Sequence, residues 1–367
     1  MIGRLMTTLA LAAVLVGCAA APASSTPASP MTSASAGAIE PSAASSPMAS
    51  PSASVVADAP PAWRALDAPG PAAREDHTWT ADPSGSVAYL FGGRDGATVH
   101  GDLWAYHLDE DRWEELTPSG GPAARFGHEA VWADGIGLVV FAGQAGPTFF
   151  NDLWALDQES MTWRSLPSSG AVPVSRYGSC AAIGPDDRLW ISHGFTSDGT
   201  RFADTRAYDF ASGTWTDATP DGGLPVSRCL HGCWWTDDGA LALFGGQTTG
   251  VTALMDRWML RDGAWTEVEG DRPTARNLYA RVRLDGATLI VGGQAVDGGF
   301  HADAWLLRDD EPDAEPFPIG GDGPQARAGA EMVLDSGEGR ILLFGGRDGD
   351  GAFADTWELS GVLAGAP

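Results

Sequence analysis

The chain has 367 residues and a formal net charge of −26, from 48 acidic residues against 22 basic ones, all of them Arg. So acidic a surface repels phosphate and argues against nucleic acid as a partner. The length exceeds what a single hydrophobic core usually serves, which points to an array of smaller units.

Residues 1–18 begin with a positive charge, Arg4, followed by the largely apolar Leu5 to Val16. That stretch is too short to span a bilayer and has the length of an export-signal core. It ends in Leu15-Val16-Gly17-Cys18, which resembles the lipobox of bacterial lipoproteins. The resemblance implies a diacylglycerol on Cys18, cleavage before it and acylation of the new amino terminus. Several acyl chains give stable anchoring where one is marginal, so an extracytoplasmic protein held on a bacterial membrane is expected. Residues 19–60 are mostly Ala, Ser, Pro and Thr. They bury too little apolar surface to offset ordering and are expected to form a disordered tether.

From residue 61 to 360 the chain repeats with a period near fifty. An Arg opens each copy: Arg74, Arg125, Arg176, Arg228, Arg276 and Arg327. The clearest copy contains the runs HEAVW, GLVVFAG, DLWALD and TWRSL, whose Val, Phe, Leu and Trp residues suit strands. A Gly pair closes the second run in four copies, becoming Ala142-Gly143 and His193-Gly194 in the other two. An Asp opens each third run, with a Trp two residues later in five copies and Arg206 in the sixth. Four strands per fifty residues signal a propeller. The double Gly, the paired aromatics such as Tyr106 and Trp113, and the opening Pro-x-x-Arg resemble the kelch repeat family. The resemblance implies an all-β fold, a six-bladed propeller of four-stranded antiparallel blades.

Trp63 to Leu66 reads as a fourth run without its first three, and Arg327 to Leu359 as three runs without a fourth. Ring closure reconciles them, with the N-terminal strand completing the last blade and removing an unpaired edge. Within the array, blade five carries an acidic, Pro-broken insert at Asp309 to Pro318, and residues 361–367 form a short tail.

Four groups of residues are candidates for chemistry. The Arg and Asp recur in all six copies, which is how a scaffold behaves. The residues three after each Arg are His77, His128, Ser179, His231, Tyr279 and Ala330. They invite a metal, yet strand side chains in a propeller face neighbouring blades, so packing is expected and no metal site is assigned. Among the cysteines, Cys180 and Cys233 have opposite parity after their Arg, which permits a disulfide between adjacent blades and leaves Cys229 odd. Cys229 and Cys233 stand about 13 Å apart along one strand, too far for a bridge. Finally, the six loops between the second and third runs emerge on one face and vary freely. Their candidate contacts are Arg94, Asp95, Phe149, Phe195, Asp198, Thr248, Asp297, Phe300, Arg347 and Asp348. His193, Arg206 and His231 depart from the repeat and direct attention to blades three and four.

These features support a non-catalytic recognition module binding a protein or glycan ligand through the loop face. The alternative is a carbohydrate-active enzyme of the kelch type, such as a sugar mutarotase, although no residue stands out as its acid or base. No cofactor is implied.

Overall fold

The computed structural model describes residues 60–362, and all their regular structure is β-strand. Cys18, the signal and the tether lie outside the described residues, as do residues 363–367.

In blade one the strands Thr78–Ala81, Val87–Phe91, Leu103–His107 and Arg112–Leu116 pair antiparallel in chain order. The same order runs from Glu129–Ala133 to Thr162–Ser165 in blade two and from Cys180–Ile183 to Thr214–Asp217 in blade three. It continues from Gly232–Trp235 to Ala264–Val268 in blade four and from Ala280–Leu284 to Ala314–Pro316 in blade five. Blade six has Ala328–Asp335, Arg340–Arg347 and Thr356–Ser360 from its own end of the chain. Its fourth strand is Ala62–Leu66, paired antiparallel with Ala62 opposite Ser360 and Leu66 opposite Thr356. The protein is therefore a six-bladed propeller closed by its N-terminal strand, as the repeat count requires.

The core is distributed between blades. The second strands are buried almost throughout: Gly137–Phe141 and Leu241–Phe244 have no exposed position. Both faces of such a strand meet a neighbouring sheet, so the alternation of a half-solvated strand is lost. Each interface has its own cluster. Trp79, Tyr106 and Trp113 of blade one pack on Leu342 and Phe344 of blade six, and Phe141 of blade two packs on Ile191 and Trp215 of blade three. The outer-strand Trp of every blade but the fifth, which has none, thus reaches back over the blade before it.

Local chemistry explains the departures from symmetry. In blade four, Asp262 and Gly263 both have positive φ, 51° and 74°, which makes the two-residue turn joining its outer strands. In blade five the outer strand is only Ala314–Pro316, cut short where proline removes a ladder donor.

Candidate functional site

Four antiparallel strands put the 1–2 and 3–4 hairpins at one end of every blade. The 2–3 loops and the segments entering the next blade lie at the other. This second end, the loop face, is built on the six Arg. Each guanidinium makes a two-pronged bond to the Asp of its own blade; Arg74 reaches Asp102 at 2.7 and 2.8 Å and the Gly92 carbonyl at 2.9 Å. The same set recurs at Arg125, Arg176, Arg228, Arg276 and Arg327. The partner is thus in the same copy rather than across a blade junction. It is the Arg backbone that crosses: Arg125 N–H donates to His100 of blade one, and its carbonyl accepts from Gly93 N–H. Each Arg therefore staples its own blade to the preceding one. At three blades a Phe from the 2–3 loop lies beneath the guanidinium, as Phe150 does 4.1 Å from Arg125.

Two residues after each Arg the chain takes a left-handed turn, with φ between 50° and 68° at Asp76, Gly127, Gly178, Leu230, Leu278 and Gly329. The N–H of each donates to the carbonyl of its counterpart in the preceding blade, at 2.8–3.1 Å, and the six bonds close on themselves. They form a hydrogen-bonded hoop around the propeller axis.

Over this hoop runs a band of charge and aromatic rings. Arg347 donates to Glu75 and lies 5.3 Å from the Phe300 ring. Arg94 pairs with Glu75 at 3.1 Å and Asp76 at 3.2 Å, and stacks 4.4 Å over Phe126. Phe126 meets Tyr177 at 5.5 Å, Tyr177 meets Phe195 at 5.1 Å, and Phe195 meets Phe149 at 5.6 Å. Tyr177 also donates to Asp76 at 2.9 Å. Burial and the adjacent Asp76 raise the Glu75 carboxyl above its ordinary range, against the pull of Arg94 and Arg347.

The structure thus brings Arg94, Phe149, Phe195, Phe300 and Arg347 together around the axial mouth. The polar candidates serve local turns instead. Asp198, Asp297 and Asp348 accept backbone N–H groups two residues on. Thr248 donates to the Ser227 carbonyl at 2.6 Å, and Asp95 sits exposed in a two-residue hairpin strand paired with Thr98.

The off-pattern residues of blades three and four also have structural work. Arg206 reaches Asp204 with Nε at 3.1 Å, taking over the indole bond that Trp104 makes to Asp102, and adds Asp217 at 2.9 Å. His193 holds the left-handed φ of 58° that glycine takes in four other copies and Ala142 in the remaining one, hydrogen-bonds Ser192 and packs edge-on against His231 at 5.3 Å. Burial and then Arg228 push its imidazole down to about 3. His77, at about 3, and the likewise lowered His128 and His231 are also neutral rings set between blades. Among the described residues no cluster of His, Cys, Asp or Glu has the geometry of a metal site. Cys180 and Cys233 are joined in a disulfide linking the inner strands of blades three and four, and Cys229 is a buried free thiol.

Beneath the hoop, Glu129, Arg281 and Glu331 reach the axial channel from three different blades. The sequence reading passed over them. The available signal was a charged side chain on an inner strand, Glu129 and Glu331 where other copies carry Thr78, Cys180, Gly232 or Ala280, and Arg281 one position further on. Burial holds Glu129 up at about 8 and Glu331 at about 7.

Fold and site together define a propeller of the kelch type, with a scaffold shared by all blades and a loop face that differs between them. The chain belongs to the Kelch-repeat family: residues 59–246, just over half of it, match the KLHDC2/KLHL20/DRC7 Kelch-repeats domain. It is similar to tRNA wybutosine-synthesizing protein 4 of Emericella nidulans, 33% identical over 141 residues, which is 34% of this chain and 13% of that protein. It is also similar to the flagellar outer arm dynein alpha chain of Chlamydomonas reinhardtii, 36% identical over 74 residues, 18% of this chain and 2% of that one. The chain thus spans a small part of the length of these curated relatives. A kelch propeller of this form fits a non-catalytic protein-interaction module.

Proposed function

We propose that the chain is a membrane-anchored, extracytoplasmic recognition module that binds a protein ligand through the loop face over blades three to five. The observation that carries this is where apolar surface is left bare. Among the described residues, the exposed large apolar side chains are Val172, Val174, Val226, Val251, Met255 and Val296. All six sit on 2–3 loops or blade-entry segments, so they share one face and one sector. Apolar surface concentrated on one side of an acidic protein marks an interaction site, and hydrophobic contact suits a protein better than a glycan. The band around Arg94 and Arg347 supplies a charged rim beside that sector, the usual anatomy of such interfaces.

The test places a photo-crosslinking residue at Met255 or at Glu159 of a hairpin on the opposite face, in the full chain on its own membrane. A partner captured from Met255 and not Glu159, and lost in a Val251→Asp, Met255→Asp, Val296→Asp variant that remains folded, supports the reading. Capture from both faces equally, or binding only to arrayed glycans, overturns it. Anchoring rests on the lipobox alone and has a separate test: Cys18→Ala releases the protein from the membrane fraction, and retention there defeats the anchor.

A further inference from the structure

We propose that the axial channel is a binding site for a small hydroxylated carboxylate, seated on Arg281 and reached from the hairpin face. Two cavities follow one another along the axis. The upper one, about 100 Å³, lies under the hoop, and the lower one, about 570 Å³, extends to the half-buried hairpin ends of the inner strands at Ala81, Ile183 and Leu334. Arg281 and Glu331 line both.

Arg281 breaks the symmetry of its register, where the other blades carry Trp79, Ala130, Ala181, Cys233 and Met332. Its side chain crosses Gly232 of blade four, where a Cβ would lie 2.9 Å from its Cδ. Glycine there clears its path. The guanidinium acts on Glu129 and Glu331 through charge alone, with no hydrogen bond or ion pair to either among the described residues. A planar fork with free donors in a channel matches a carboxylate.

The walls ask for a polar occupant. Asp76, His77, His128, Ser179 and His231 line the upper cavity, and each has a buried side-chain atom without a hydrogen-bond partner among the described residues. Buried polar groups are rarely left so, and here five residues around one small space carry them. Glu129, held up at about 8, keeps its proton near neutral pH and Glu331, at about 7, does so in part, so both can offer an O–H to a hydroxyl. Asp76 is already bonded to Arg94 and Tyr177, and Arg283 to Asp237 and Asp309, which among the described residues leaves Arg281 as the unpaired cation lining both cavities. A cation meets the guanidinium, and a dianion meets an acidic protein of net charge −26, so a monoanion is favoured. Trp132 and Trp235 in the lower cavity supply an apolar wall for the carbon skeleton.

The test measures thermal unfolding of the full chain with glucuronate, lactate and glucose as probes. Both acids are expected to raise the melting temperature in a saturating way, while glucose, which lacks the carboxylate, leaves it unchanged. Arg281→Met abolishes the rise, whereas Met255→Asp on the loop face keeps it. A wild-type crystal soaked in glucuronate shows the carboxylate against Arg281, which keeps the question decidable if the variant does not fold. No saturable effect of either acid, an equal effect of sodium chloride at matched ionic strength, or density only outside the channel overturns the proposal.

Discussion

Replacing Trp63 by Ala tests the closure on which the ring depends. Trp63 stands opposite Leu359 in the last blade and packs on the cluster between blades five and six. Its counterpart in blade one, Trp113, is 6% exposed, whereas Trp63 is only half-buried beside a groove lined by Trp305 and Phe317. Truncating a fully buried Trp costs about 3–5 kcal/mol. Half burial scales this to about 2–3 kcal/mol for Trp63→Ala. In a domain of this size each kcal/mol lowers the melting temperature by about 2 °C, giving a fall of about 4–6 °C for Trp63→Ala and about 6–10 °C for Trp113→Ala. Arg64→Ala, which removes a 60% exposed partner of Glu358, serves as the control and costs under about 1 kcal/mol. Calorimetry and urea unfolding of the full chain give the comparison. If Trp63→Ala behaves like the control while Trp113→Ala falls as stated, the N-terminal strand is not seated in solution and the closure argument fails. Loss of that strand also bares the edge of Thr356–Ser360, so aggregation on heating is expected to rise in proportion to the destabilisation.

Three further outcomes follow from the scaffold. Asp355→Asn leaves Arg327, 3% exposed, without its counter-charge; the cost, discounted because Asp355 itself is 36% exposed, is about 2–3 kcal/mol by urea unfolding, against almost nothing for Asp95→Asn. Lowering the pH from 6.5 to 5 destabilises the protein. His77, His128, His193 and His231 have folded pKa values depressed below the unfolded 6.5, so their contribution is present above 6.5 and declines as pH falls towards about 3. The raised carboxyls of Glu129, Glu331 and Glu75 oppose this, gaining stability as pH falls towards 4.5. The balance grows from near zero at pH 6.5 to about two protons near pH 5, a slope of up to about 2.8 kcal/mol per pH unit, and a urea midpoint that rises on acidification refutes it. Removing the disulfide with Cys180→Ala and Cys233→Ala frees a loop spanning 53 residues and costs about 4 kcal/mol in the chain-entropy account; an unchanged midpoint shows that the link is absent in solution.

The sequence alone determined the number of blades, their strand order and the closure, because each depends on a period and on strand-forming residues that repeat in register. It also placed Arg and Asp in the scaffold, since a residue present in every copy serves what every copy shares. Tertiary structure alone decided that each Arg pairs within its own blade, some 28 residues on, while its backbone holds the blade before it. Spacing along a chain is the same for both partners and cannot choose between them. The axial residues were hidden for a related reason. Glu129, Arg281 and Glu331 lie roughly 50 to 200 residues apart and each looks like an ordinary strand substitution. Only bending six sheets around one axis puts them in a common channel, where burial changes the charge that Glu129 and Glu331 carry.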